Sequence, residues 1–171
     1  MKTWMLLALC ALGCNSGSLP GNDTSSTMDT AFPDTAVPPG CSSNHTWNYG
    51  NAESPLMHPG TDCIDCHTSH REGPTFSAAG TVMGSWHDVD DCFGVQGVTV
   101  RITDANGQVH TMSTNNAGNF MTRDNIPTPF TAEIEYQGNV RVMFSEQTDL
   151  DCVVCHTQQG NNMAPGRITV P

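Results

Sequence analysis

Between residues 76 and 144 the chain alternates apolar and polar positions in short runs broken by turn residues. Residues 97–103 (GVTVRIT) place Val98, Val100 and Ile102 on one face, the period-two spacing of a strand with one covered side. The run 76–83 (FSAAGTVM) reads as a strand before it. Asp104-Ala105-Asn106-Gly107 is a turn signal that leads into a strand over 108–114. Asn115-Asn116-Ala117-Gly118 turns again into 119–122, and Pro127 and Pro129 bracket a loop. Residues 130–136 (FTAEIEY) alternate once more, Gln137-Gly138-Asn139 turns, and 140–144 (VRVMF) closes the set. Short strands at regular spacing predict a mainly β fold, a small β-sandwich.

The beginning of the chain follows a different pattern. Lys2 is followed by an apolar run from Trp4 to Leu12. That run is shorter than the ~20 residues a membrane-spanning helix needs, so it reads as an export signal. It ends in Ala11-Leu12-Gly13-Cys14, which resembles the lipobox of bacterial lipoproteins. The resemblance implies a signal peptide over 1–13, lipidation of Cys14, and an exported protein anchored to a membrane. Asn15, which is not an aspartate, implies sorting to the outer membrane. An ordinary cleavage site beside an incidental cysteine is the alternative. Acyl chains would anchor the protein, each buried CH₂ contributing ~0.8 kcal/mol. Residues 15–40 are rich in Ser, Thr, Gly, Pro and Asp and carry no basic residue. They cannot bury enough apolar surface to fold, and 14–40 reads as a lipidated tether. The folding part is then 41–171.

Charge narrows the choice of partner. The formal net charge is −11. Nucleic acid, which needs a basic face, is excluded as a ligand. An acidic surface suits steering toward a basic partner, and it also serves solubility. There is no nucleophile elbow, phosphate loop or HExxH zinc motif.

Chemistry enters through a five-residue pattern that occurs twice. Cys63-Ile64-Asp65-Cys66-His67 and Cys152-Val153-Val154-Cys155-His156 both read Cys-x-x-Cys-His, the attachment signature of c-type haem. The two thiols form thioethers, and the following imidazole becomes the proximal iron ligand. A zinc ribbon would set its two knuckles ~15–20 residues apart, far closer than these lie. A thioredoxin-like dithiol needs a βαβ setting that the pattern lacks. Neither explains a histidine directly after both pairs. Two covalently attached haem c groups are therefore expected, held by Cys63, Cys66, Cys152 and Cys155, with His67 and His156 on the irons. Export agrees with this, since bacterial c-type haem is attached outside the cytoplasm.

The sixth ligands are open. His58 precedes the first motif in a turn fixed by Pro59 and Gly60, and it is one candidate. His87 is the other, in a loop where Trp86 could pack on a porphyrin face and Asp88 could orient the imidazole. His70 is closer in sequence to the first haem but better placed for the second. His45 and His110 read as surface residues, and Met143 is the favoured methionine. Cys41 and Cys92 are left over and are expected to form a disulfide outside the cytoplasm. Asp88, Asp90 and Asp91 lack the spacing of a calcium loop and read as a solvated acidic loop.

The run Gly80-Thr81-Val82, Gly97-Val98-Thr99-Val100, Thr103-Asp104-Ala105-Asn106-Gly107 and Asn116-Ala117-Gly118-Asn119-Phe120 resembles carboxypeptidase-regulatory-like domains. The likeness spans about residues 76–144 and implies a small transthyretin-like β-sandwich without catalytic residues. It would be a scaffold inserted between two loop or short-helix haem-binding segments. Whether those segments meet or sit at opposite ends is open. The expected function is electron transfer between other redox proteins or cytochromes, with self-association possible. A dihaem peroxidase-like or small-ligand-reducing enzyme, and an adhesive or structural surface lipoprotein, are the alternatives.

Overall fold

Within the computed structural model, residues 40–48, 54, 56–71 and 73–171 are described. The expected export signal, Cys14 and the tether as far as residue 39 lie outside them. The fold is mainly β, with two sheets and two short helices among the described residues. Every position of β1 (Ala78–Met83) is buried, so both of its faces are covered and its sequence does not alternate. It is the middle strand of a three-stranded sheet. The second sheet is antiparallel and runs in the order β3 (Val109–Ser113), β2 (Thr99–Thr103), β5 (Thr131–Tyr136), β6 (Asn139–Val142).

The apolar alternation sets the register of this second sheet. Val100 lies opposite both Met112 and Ile134, and all three point into the core. Val82, Val98, Ile102, Phe120 and Phe130 complete that core with Ala78 and Ile126. Each large apolar side chain buried there contributes ~1.5–3 kcal/mol, and a one-residue slip would turn the whole set outward. At the β5–β6 turn, Gln137 and Gly138 both have positive φ (50° and 80°), the hairpin geometry that matches strand twist.

β1 runs antiparallel to β4 (Asn119–Thr122) on one side. On the other it pairs in parallel with β7 (Ile168–Thr169), which the sequence pattern did not announce. Two residues are too few to show a period. His110 corrects another expectation. It was placed at the surface but is only 5% exposed. It stands two residues from Met112 on β3 and so shares that strand's inward face.

Candidate functional site

The two Cys-x-x-Cys-His segments meet. α1 (Cys63–His70) and α2 (Cys152–Cys155) both pack on β1. Asp151 bridges to Ala79 in parallel, and the Ala79 amide donates to the Leu150 carbonyl at 3.4 Å. Next along β1 is Gly80. A Cβ there would lie 3.0 Å from the Cys152 Cβ and 2.7 Å from the Phe120 Cζ. The bare strand is what lets Cys152 come so close. The approach to α1 hangs from the following residue, Thr81. Its Oγ1 accepts from the Gly60 amide at 2.9 Å and donates to the Asn119 Oδ1 at 2.7 Å.

Each helix begins at an aspartate cap. Asp62 Oδ1 accepts from the Asp65 amide at 2.7 Å, and Asp151 Oδ1 from the Val153 amide at 3.3 Å. Such caps satisfy amides that a helix start leaves open. The two cap carboxyls also lie close enough for Asp62 to help raise Asp151. Cys63 accordingly feels both carboxyls, and Cys152 feels Cys63.

The first cysteine, the second cysteine and the histidine of each motif stand at i, i+3 and i+4, which a helical turn gathers on one side. All four cysteines are free thiols. Burial, reinforced by the Asp151 and Asp62 carboxyls, pushes the Cys63 thiol up to about 11. Burial, with Asp151 and Asp149, pushes Cys152 up to about 12. A redox-active dithiol needs the opposite, a lowered thiol pKa. Among the described residues, no three His, Cys, Asp or Glu side chains converge as they would around a bare metal ion. This counts against a four-cysteine zinc knot. Neither helix contains a buried residue. Helices this short are marginal on their own, and a bulky apolar group bonded to their cysteines would cover them further.

The histidines sharpen the fit. His156 Nδ1 donates to the Gly166 carbonyl at 2.9 Å, which leaves Nε2 as the electron-pair donor. Burial holds its pKa below the ordinary value, so the ring is neutral, as a metal ligand must be. The His67 ring lies 5.1 Å from that of Phe76, centroid to centroid. A Cβ on Gly73 would come within 2.9 Å of the His67 ring. The ring thus sits in a cradle, and its Nδ1 is buried without a hydrogen-bond partner. Free thiols in register, an imidazole beside each pair and helices that are only half-covered together fit haem c.

The candidate sixth ligands fall in different places. His87 Nδ1 donates to the Gln158 carbonyl at 2.7 Å, so this loop is tied to the chain just beyond His156. Asp88, expected to orient that imidazole, is only 1% exposed. Its carboxylate accepts instead from the Ser42 amide (2.9 Å), the Ser42 hydroxyl (2.6 Å) and the Ser85 amide (3.1 Å). His58 donates to Asp91 Oδ1 at 2.8 Å, and its ring centroid lies 3.8 Å from that of Trp47. His70 turns back to the Cys66 carbonyl of its own helix at 3.0 Å. His45 is exposed, with its ring against Phe93. Met143 packs against the core, and the Trp86 ring carries the Arg141 guanidinium at 4.8 Å.

Cys41 and Cys92 are joined as a disulfide, with Cα atoms 5.1 Å apart. It ties the start of the folded part to the loop containing Asp88, Asp90 and Asp91. Those three carboxylates are bound by Ser42 with Ser85, by Arg167 and by His58, respectively, so the loop is no calcium cradle.

Sequence reasoning missed Arg167, which is 2% exposed. Its Nε donates to the Asp88 carbonyl at 3.0 Å and its Nη1 to the Gly60 carbonyl at 2.9 Å, while Nη2 pairs with Asp90. The available signal was its charge: it is one of six basic residues against seventeen acidic ones. Beside it an open cleft of about 470 Å³ runs between Gly60–Asp62 and the Val153 and Val154 side of α2. The chain matches no protein-family model, no curated protein and no solved structure.

Proposed function

We propose that this chain is a dihaem c-type cytochrome that relays electrons between redox proteins, exported and anchored at a bacterial outer membrane through Cys14. The observation that carries the reading is the meeting of both Cys-x-x-Cys-His segments on β1, with the Asp62 and Asp151 caps in contact. When bound, each haem supplies an iron that cycles between ferric and ferrous states.

The chain's own part is attachment, ligation and placement. Cys63 and Cys66 hold one group, and Cys152 and Cys155 the other. Each thiol adds across a vinyl group: sulfur bonds one carbon and the thiol hydrogen passes to the other. His67 and His156 would each offer a ring nitrogen to one iron. His87, tied to the residues after His156, and His58, tied to Asp91, are the candidates for the opposite faces. The sandwich, with its likeness to carboxypeptidase-regulatory-like domains, is the scaffold that brings two distant segments of sequence together. A net charge of −11 suits a basic redox partner.

The test is maturation in a host that attaches c-type haem. Two haems per chain by mass and by haemochrome spectrum are expected, falling to one in the Cys152→Ala/Cys155→Ala variant. A colourless product of bare-chain mass would overturn the reading. Rapid carbon monoxide binding by the reduced protein would favour a ligand-binding enzyme over a relay.

A further inference from the structure

The two motif histidines differ in one respect. His156 Nδ1 has a carbonyl partner, Gly166, at 2.9 Å. His67 Nδ1 is enclosed and has none. We infer that the haem carried by the first motif is the stronger electron acceptor of the pair, so that electrons entering the chain collect at His67. This rests on the dihaem reading above.

A hydrogen bond from Nδ1–H to a carbonyl makes the opposite ring nitrogen a stronger donor. Stronger donation favours ferric iron, and its absence favours ferrous iron. The carboxyl groups around the two anchors are matched in number. Each inner anchoring cysteine faces two carboxyl groups: Asp151 and Asp62 at Cys63, Asp151 and Asp149 at Cys152. Both histidines are half-buried. The Nδ1 hydrogen bond is the difference between the two histidines themselves. Gly73 makes the difference structural, because its Cα side closes over the His67 ring and any Cβ would press on it at 2.9 Å.

Outer partners of ligating histidines are commonly worth a factor of ten or more. The expected preference for the first haem is about tenfold, which is ~59 mV for a one-electron couple. The measurement is stepwise reduction of the full holoprotein followed by proton NMR. The single-haem variants Cys63→Ala/Cys66→Ala and Cys152→Ala/Cys155→Ala assign the resonances and give each potential separately. The first-motif haem is expected to reduce first, with one strongly hydrogen-bonded imidazole N–H, at His156, read from its downfield shift in the reduced protein. Simultaneous reduction, reversed order or two equally hydrogen-bonded N–H groups would each overturn the inference. If a single-haem variant does not mature, the order of reduction and the number of strongly hydrogen-bonded N–H groups in the unsubstituted holoprotein decide. Two haems of equal potential defeat this inference alone, whereas a chain that takes up no haem defeats the proposed function as well.

Discussion

The carboxyl of Asp151 lies beside that of Asp62, so the caps of the two motif helices act on one another as well as on their own helices. Burial pushes the Asp151 carboxyl up to about 7, and Asp62 adds to the effect by hydrogen bond and by charge. A protonated carboxyl can donate where two carboxylates would repel. The contact therefore holds best while one proton remains between them.

The sign of the pH dependence follows. An acid whose folded pKa lies above its ordinary 3.8 binds its proton more tightly in the folded state. Its contribution is complete below the ordinary value and is lost as pH rises through the folded value of about 7. Asp151→Asn imitates the protonated form and still caps α2. Its melting temperature should gain on that of the unsubstituted protein between about pH 5 and about pH 8. A difference that stays constant across that range would show that the pair does not share a proton.

Gly80 sets how closely the second motif approaches the sheet. Gly80→Ala puts a methyl group 2.7 Å from the Phe120 Cζ and 3.0 Å from the Cys152 Cβ. Phe120 is buried and cannot swing away, so α2 must shift. Overpacking of this kind costs ~1–3 kcal/mol, which denaturant titration would register. The shift falls on the second motif's anchor. Mass spectrometry of the matured variant should show chains short of one haem, with the deficit at Cys152 and Cys155. Equal loss from both motifs would place the role of Gly80 elsewhere.

His110 supplies a second pH dependence, remote from the motifs. Its Nε2 faces Asp104 Oδ2 at 3.1 Å and its Nδ1 faces Asp124 Oδ2 at 3.4 Å. The Asp104 bond raises the imidazole pKa, burial opposes that rise, and Asp124 adds to it. Asp104 is lowered: burial works against this, but His110 and the Gln108 and Asn106 amides outweigh it. A raised histidine gives its full contribution below about pH 6.5 and loses it as pH passes the folded value. The lowered aspartate gives its contribution above about pH 3.8 and loses it as pH falls through its own folded value. The sandwich should therefore be firmest in the mildly acidic range between these limits. The His110→Gln variant should lose that maximum. NMR titration of His110 should report a midpoint above the ordinary imidazole value; a midpoint below it would contradict the ion pair.

Much of this fold was legible because its strands lie on a surface with one covered side. Val98, Val100 and Ile102 gave β2 its period, and Asn-Gly and Gln-Gly turns marked the hairpins. The boundaries of β4 and β5 fell within a residue of where the pattern put them. The motif residues were legible because their chemistry is written in five consecutive positions. What stayed hidden was non-local. Nothing near Cys63 announces Cys152, and the contact between Asp62 and Asp151 depends on β1 running beneath both. Asp88 shows the same limit: its place beside His87 in sequence suggested a partner, but the folded chain turns it toward Ser42 and Ser85.

Arg167 is the strongest case, and it makes the last prediction. Its guanidinium reaches the Gly60 carbonyl before α1, the Asp88 carbonyl of the disulfide-tied loop and the Asp90 carboxylate. Its own amide holds the Trp86 carbonyl at 2.9 Å. Arg167→Met fills the volume but leaves the Gly60 and Asp88 carbonyls without their donor. Each buried group so orphaned costs ~1–3 kcal/mol. Arg167→Lys should rescue little, because a single ammonium cannot reproduce a planar fork spread over three acceptors. The damage should appear far from the substitution in sequence. Amide hydrogen exchange should quicken at Gly60 and through α1, while β2 and β5 keep their protection. If exchange quickened evenly across both sheets, Arg167 would be a general support of the fold. Quickening confined to the first motif would make it the tie that holds that motif against the rest of the site.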